Sequence, residues 1–356
     1  MRSEKAPARV TIKDVAKVAG VSIGTVSRVI NNSANVDDGL RRRVEQAITT
    51  LRFRPNVRAQ SFVRDHSPII SFILSNRGNL NPVHSYILQG VEDYCAEAGY
   101  FVLFARHSYS PDAAVDSLRT PRVLVGHGLA DCVIVAGTNS DNFLDSLNQM
   151  GVRHVVLANN LTTTSRHRNR VNQVRYDDQG GVYEATRYLI QLGHRNVWFI
   201  GDTSQLWFRN RYEAYLRAMS ESGLEPYAQT LALSDDPYEN GHASIGLILE
   251  QQTPLTALIA ASDELAVGAI EALRQHGREV PRDVSVIGFA HQASHSRMTY
   301  LTSVCVDTIE VGRQLAKSAV LRIQSGGRDV QEVIVPTFLI KRGTCRPFRP
   351  DPRMLL

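Results

Sequence analysis

From Ser67 to Leu356 the chain alternates apolar, β-rich runs with stretches of helical periodicity, and this alternation limits the possible folds more than any other feature. Ile69–Leu74, Phe101–Ala105, Cys132–Ala136, His154–Ala158, Val197–Ile200, Leu231–Leu233, Ala257–Ala261 and Val284–Phe289 read as strands. Between them, Ser85–Ala98, Asn142–Met150, Gly181–Leu192, Arg209–Ser222, Gly241–Gln251 and Glu264–His276 read as helices. Strands that are apolar throughout have both faces covered. Repeated strand–helix units build parallel, doubly wound sheets, and these 290 residues suffice for two such subdomains. Ligands of such sheets bind beyond the carboxyl ends of the strands, so a cleft between two subdomains is the expected site.

The segment before this body differs in charge. Residues 1–66 hold 13 Lys/Arg and 6 Asp/Glu, or 13 − 6 = +7; the rest holds 27 and 29, or −2. A basic module on a near-neutral body suits an anionic polymer at one end and something else at the other. A solvated basic arm is the plainer alternative. Cys95, Cys132, Cys305 and Cys345 are far apart and form no CxxC pair, which argues against a zinc site, a redox motif or a disulfide scaffold. The first ten residues hold no apolar signal region and no run is long enough to span a bilayer, so a cytoplasmic chain is expected.

The basic segment reads as three helices. Thr11 caps the first, with Asp14 three residues on, and Ile12, Val15, Ala16 and Ala19 share a face. Gly20 breaks it. Ser22 caps a second helix from Ile23 to about Asn31, with Val26, Val29 and Ile30 inward. A third runs from about Asp38 to Leu51, its inner face Leu40, Val44, Ala47, Ile48 and Leu51, its outer face Arg41, Arg42 and Arg43. Two short helices joined by a tight turn and braced by a third form a helix-turn-helix, which sets the start of its second helix into the major groove. Those residues are Ser22, Ile23, Gly24, Thr25, Ser27 and Arg28. Arg28 can grip guanine bidentately, and Ile23 can pack on a thymine methyl. Thr11, Thr25, Ser27 and Arg54 suit phosphates.

TIKDVAKVAGVSIGTVSRVINNSANV (Thr11 to Val36) closely resembles the N-terminal motif of the LacI/GalR family of bacterial transcription regulators, and LRFRPNVRAQSF (Leu51 to Phe62) resembles that family's hinge. The resemblance continues through Tyr176-Asp177-Asp178, YLIQLGHRNVWFI (Tyr188 to Ile200), ASDELAVGAIEAL (Ala261 to Leu273), VPRDVSVIGF (Val280 to Phe289) and LTSV (Leu301 to Val304). It implies a helix-turn-helix domain at 1–54, a hinge at 55–66 and a periplasmic-binding-protein-like core at 67–356. Within that core it implies an N-subdomain of 67–174 and 303–330 and a C-subdomain of 175–302 and 331–345. It further implies that the hinge forms a helix on operator DNA, with Asn56 and Ala59 among its DNA-binding residues. Phe62 stands where relatives carry a leucine wedged into the minor groove; Phe is also an accepted wedge, and unstacking a base step is offset by contacts to the bent duplex.

The resemblance also supplies candidates for a small-molecule effector, expected to be a sugar or sugar derivative. Arg211 matches an arginine that reaches the ligand from the start of a helix, and its fork can grip paired hydroxyls or a carboxylate. Ser262 falls at a polar ligand contact; Asp263 either joins it or caps the next helix. Trp207, in the loop before Arg211, and Tyr238, in another cleft loop, either stack on a sugar ring or serve packing. Two motifs depart from the family. Asn81-Pro82-Val83-His84 replaces NPFF, and Gly288-Phe289-Ala290-His291 replaces GFD or GYD. Val83 and Ala290 thus stand where an aromatic wall and a ligand-binding aspartate would be, with His84 and His291 as structural residues or replacement polarity.

The expected function is a DNA-binding regulator, more often a repressor in this family, acting as a homodimer on near-palindromic operator DNA. No metal, cofactor or membrane is called for, and the Arg/Pro-rich tail Arg342–Leu356 has no heptad run for a tetramerising coiled coil. A solute-binding protein or an enzyme on a doubly wound fold are the alternatives. The +7 head counts against the first, and the lack of GxGxxG at a strand–helix junction, GxSxG, P-loop and HExxH motifs against the second.

Overall fold

The computed structural model describes residues 10–30, 36–53, 68–78, 80, 82–124, 129–161, 172–234, 236–251, 253–290, 299–326 and 331–349. The chain divides into two compact units, Met1–Ser67 and Pro68–Leu356.

In the first unit three helices, α1 (Ile12–Ala19), α2 (Ile23–Ile30) and α3 (Asp38–Leu51), surround a small core of Val15, Ala16, Ala19, Val26, Val29, Val44 and Ala47. The Asp14 carboxylate accepts both the N–H (2.8 Å) and the hydroxyl (2.7 Å) of Thr11, tying the first turn to the residue before it. Gly20 ends α1 in the left-handed conformation, φ 64°, where a side chain would be strained. The Ser22 hydroxyl accepts the N–H of Thr25 (3.1 Å), and Asp37 accepts from Gly39 and Leu40, so each following helix starts on a side-chain cap.

The second unit contains two six-stranded sheets. The first comprises β1 (Ile69–Ser75), β2 (Phe101–His107), β3 (Cys132–Gly137), β4 (His154–Leu157), β5 (Asn172–Tyr176) and β11 (Glu332–Val335), in the order β11-β5-β4-β3-β1-β2. The second comprises β6 (Val197–Ile200), β7 (Tyr227–Gln229), β8 (Ala257–Ala260), β9 (Ser285–Ala290), β10 (Thr302–Val306) and β12 (Thr337–Ile340), in the order β12-β10-β9-β8-β6-β7. All pairings are parallel except β10 with β12. Helices α4 (Pro82–Glu97), α5 (Asp141–Gln149) and α10 (Thr308–Gln324) serve the first sheet; α6 (Asp178–Gln191), α7 (Leu206–Glu221), α8 (Pro237–Glu250) and α9 (Asp263–Gln275) serve the second. β1, β3, β6, β8 and β9 are almost wholly buried, as apolar strands covered on both faces must be.

The chain passes between the sheets at residues 177, 307 and 336, within several residues of the 174, 303 and 330 expected from the sequence. β10 therefore lies in the second sheet and β11 in the first. A further correction concerns Leu231–Leu233, which is no strand: Leu231 is 67% exposed. The edge strand lies earlier, at Tyr227–Gln229, where Tyr227 stacks on Trp198 (5.3 Å) and the Tyr215 hydroxyl accepts its N–H (2.8 Å). Those two aromatic contacts fix the register, and no three-residue apolar run can reveal them.

Close helix packing rests on glycines. A Cβ added at Gly90 of α4 would stand 2.8 Å from the Ile309 carbonyl carbon, and one at Gly312 of α10 would stand 2.9 Å from that of Ile87. The two helices thus touch backbone to backbone. Gly241 and Gly268 do the same for α8 and α9.

Candidate functional site

In the head, the Ser22 cap holds the first turn of α2 so that Ser22, Ile23, Gly24 and Arg28 are exposed while Val26 and Val29 turn inward. Ile23 is 46% exposed, an apolar side chain left open on a polar face, as a thymine-methyl contact requires. Thr25 and Ser27 are half-buried beside them, and the Ser22 and Thr25 hydroxyls lie 2.9 Å apart. Arg54, Asn56, Ala59 and Phe62 lie outside the described residues.

In the body, the carboxyl ends of both sheets contribute to one cluster centred on Arg211. This side chain is 0% exposed and enters from the second turn of α7. Its Nη1 donates to the Ala261 carbonyl just after β8, and its guanidinium carbon lies 3.5 Å from the Phe289 ring centroid. From the first sheet, the Tyr176 hydroxyl hydrogen-bonds Arg211, and the Tyr176 ring lies 6.4 Å from that of Phe289. Tyr176 is clamped at the end of β5 by Asn159, whose amide donates to its carbonyl (2.9 Å) and accepts its N–H (3.0 Å). Burial pushes the Tyr176 phenol up to about 12, so it stays neutral, and its oxygen accepts from the Arg211 guanidinium, which has donors only.

Two buried carboxylates flank the arginine. Burial raises Asp178, at the start of α6, to about 6 against the opposing pull of Arg211 and a hydrogen bond with Asn159; its Oδ2 has no hydrogen-bond partner. Burial likewise raises Asp263 to about 6, against the hydrogen bond it accepts from the Ser303 hydroxyl (2.6 Å). A Cβ at Gly288 would sit 3.2 Å from the Asp263 carboxyl carbon, so the glycine makes room for this carboxylate.

The cation Arg77 completes the cluster. It follows β1 and stacks on Trp207, with its guanidinium carbon 4.4 Å from the ring centroid. Behind it, His84 in the first turn of α4 is buried; desolvation and then the Arg77 charge depress its pKa to about 4. His84 is thus neutral at pH 7.

These positions revise several expectations. Trp207 and Phe208 lie in the first turn of α7, not in a loop, because the helix starts at Leu206 after Gln205. Ser262 is itself the cap: its hydroxyl accepts the N–H of Leu265 (3.3 Å), leaving Asp263 free of that role and turned to Ser303. Tyr238 lies in α8, whose start at Asp236-Pro237 is an acidic cap followed by proline at the first helical position. Its charged neighbour is Arg274 in the last turn of α9, so it is not brought to Arg211. Val83 is half-buried against the core. Ala290 ends β9, buried, with only a methyl to offer. His291 lies outside the described residues. Arg77, Asn159, Tyr176, Asp178 and Phe289 join the cluster from outside the set of effector candidates that the sequence offers. The rule that ligands lie beyond strand ends marks Arg77, three residues past Leu74.

Among the described residues no group of three or more His, Cys, Asp or Glu can hold a metal ion, and no helix is long and apolar enough to cross a membrane.

Comparison with known proteins agrees with this geometry. Residues 11–56 match the profile of bacterial regulatory proteins, lacI family, and residues 186–345 that of a periplasmic binding protein-like domain. The HTH-type transcriptional regulator CelR of Thermobifida fusca is 30% identical over 342 residues, covering 94% of this chain and 98% of that one. A CelR–cellobiose complex superposes with TM-score 0.64 at 28% identity, covering 94% of this chain and all of that one. The lac repressor dimer bound to operator and the anti-inducer ONPF superposes with TM-score 0.78 at 24% identity over 95% and 99% of the two chains, which establishes a shared fold.

Proposed function

The chain belongs to the LacI family of bacterial regulatory proteins, and on that premise we propose that it is a homodimeric operator-binding repressor whose DNA affinity is set by a carbohydrate bound around Arg211. One observation carries the effector half of this reading. Arg211 is held by Ala261 and Phe289 of the second sheet and by Tyr176 of the first, so a ligand that contacts it senses both sheets at once. A ligand that binds one arrangement of the sheets better than another shifts their equilibrium by its differential affinity. Coupling to DNA of about 1–3 kcal/mol is typical of such devices.

The exposed edge of α2 supports the operator half: Arg28 and Ile23 read bases, and Thr25 and Ser27 position on phosphates. Two copies are favoured by edge strand β2, where Phe101 is 59% exposed and Leu103 and Phe104 stand open beside it. An apolar edge of this kind is normally covered by another chain. Binding, not catalysis, fits the cluster, and a repressor of this type works in the cytoplasm, where its DNA lies.

The test is to select the preferred site from random DNA with the purified chain, then measure affinity for it with and without a panel of sugars. A near-palindromic site whose affinity falls steeply with salt is expected. No selected sequence overturns the regulator reading; a selected site indifferent to every sugar overturns the effector half.

A further inference from the structure

Among the described residues Arg77 has no counter-ion, and both carboxylates of the cluster lie beside other partners. Asp178 is bonded to Asn159 and lies next to Arg211, while Asp263 accepts from Ser303 and has Arg342 and Arg211 nearby. Arg77 has no hydrogen bond and no ion pair among the described residues, and its Nε–H is buried without an acceptor. The Trp207 ring, 4.4 Å away, offers the guanidinium a cation–π contact but no oxygen acceptor for its five N–H donors. Leaving that buried Nε–H without an acceptor is unfavourable, so a ligand that supplies one would be favoured at this position.

The loop that carries Arg77 is fixed in advance. Asn76 takes the left-handed conformation, φ 49°. Its N–H donates to the His107 carbonyl (2.9 Å), its side-chain oxygen accepts the Tyr109 N–H (2.9 Å), and Arg106 donates to the Gly78 carbonyl. The residues on both sides of Arg77 are therefore tied to β2, and the guanidinium is presented rather than left to wander. Tyr176 lies within electrostatic reach of both Arg77 and Arg211, which places the two cations in the same cluster.

We propose that the effector is an anionic carbohydrate, a sugar acid or a phosphorylated sugar, whose carboxylate or phosphate is gripped by the Arg77 fork beside Trp207. This rests on the effector reading given above and names the ligand's chemical class. A planar guanidinium matches either oxyanion bidentately. Arg211 then remains available for hydroxyls, since its own charge is balanced by Asp178 and Asp263.

Trp207 supplies the readout, because the chain has two tryptophans and the other, Trp198, is buried behind Tyr227. The full chain is titrated at constant ionic strength with D-glucuronate, D-glucose 6-phosphate and the neutral parent D-glucose, following tryptophan emission. A saturable change with either anion, and a weaker one or none with D-glucose, is expected; which anion responds distinguishes the acid from the phosphate. Arg77→Gln should weaken the responding anion by about 10- to 100-fold, the loss of charge-assisted hydrogen bonds. Arg77→Lys, which keeps the charge and loses the fork, should fall between the two. Operator binding by each variant without ligand verifies that it is folded. Anions that bind no better than D-glucose, anions that give no response, or an Arg77→Gln variant that binds them as well as the parent would each overturn the inference. The regulator reading is judged apart, by the operator binding of the same samples.

Discussion

The guanidinium carbon of Arg211 lies over the ring of Phe289, 3.5 Å from its centroid, with no exposure to solvent. A cation can be buried this deeply because an aromatic face, a backbone carbonyl and a phenol hydroxyl together replace its water, with two carboxylates close by. The same contacts hold the arginine at the boundary between the two sheets, where a bound ligand can influence both.

Arg211→Lys should therefore separate effector sensing from DNA binding. Lysine keeps the charge and loses the planar fork. Effector affinity should fall about 10- to 100-fold, while operator affinity without ligand stays near that of the parent. Titrating operator complexes with the effector checks this; an unchanged midpoint would remove Arg211 from the site.

Arg28→Ala should relax base preference at one position of each half-site, at a cost of about 1–3 kcal/mol against the preferred base. Selection from random DNA with both proteins reads the difference. Weakening by the same factor at every sequence would instead make Arg28 a phosphate contact.

Gly90→Ala and Gly312→Ala should each destabilise the body by about 1–3 kcal/mol, because either Cβ drives α4 and α10 apart. Thermal melts of the two single variants and the double variant test this. If the helices separate once for both, the double variant loses less than the sum of the two. Gly246, whose added Cβ meets nothing within 4 Å, is the control and should tolerate alanine.

His84 should make the body acid-sensitive. Its pKa is 6.5 in the open chain and about 4 in the fold, through burial first and the Arg77 charge second. Between those values the unfolded chain binds the proton more readily, so stability is lost as pH falls through this window and is fully present above it. The loss is complete below about pH 4 and amounts to roughly 3 kcal/mol. His84→Gln should consequently lose less stability than the parent between pH 7 and pH 4.5. Parallel denaturation curves across that range would show that His84 does not titrate as described.

Local signals made much of this protein legible in its sequence. α3 runs Asp38–Leu51 because an acidic cap opens it and apolar residues recur at helical spacing to its end. β1, β3, β4, β6, β8 and β9 stand at their apolar runs because a strand covered on both faces has no polar positions to disguise it, whereas β5, β7, β10, β11 and β12 fall outside those runs. Arg211 was legible too, but only through resemblance; nothing in its neighbours foretells a fully buried cation. Tertiary structure decided the rest. Arg77, Asn159, Tyr176 with Asp178, Arg211 and Phe289 come from five separate places along the chain and meet only because two sheets end at the same boundary. It also decided which of two adjacent polar residues caps α9, since Ser303 on a neighbouring strand draws Asp263 away and leaves the helix end to Ser262. Periodicity records what each segment buries, whereas a site depends on which segments share an end, and that is fixed by strand order and the crossings between sheets.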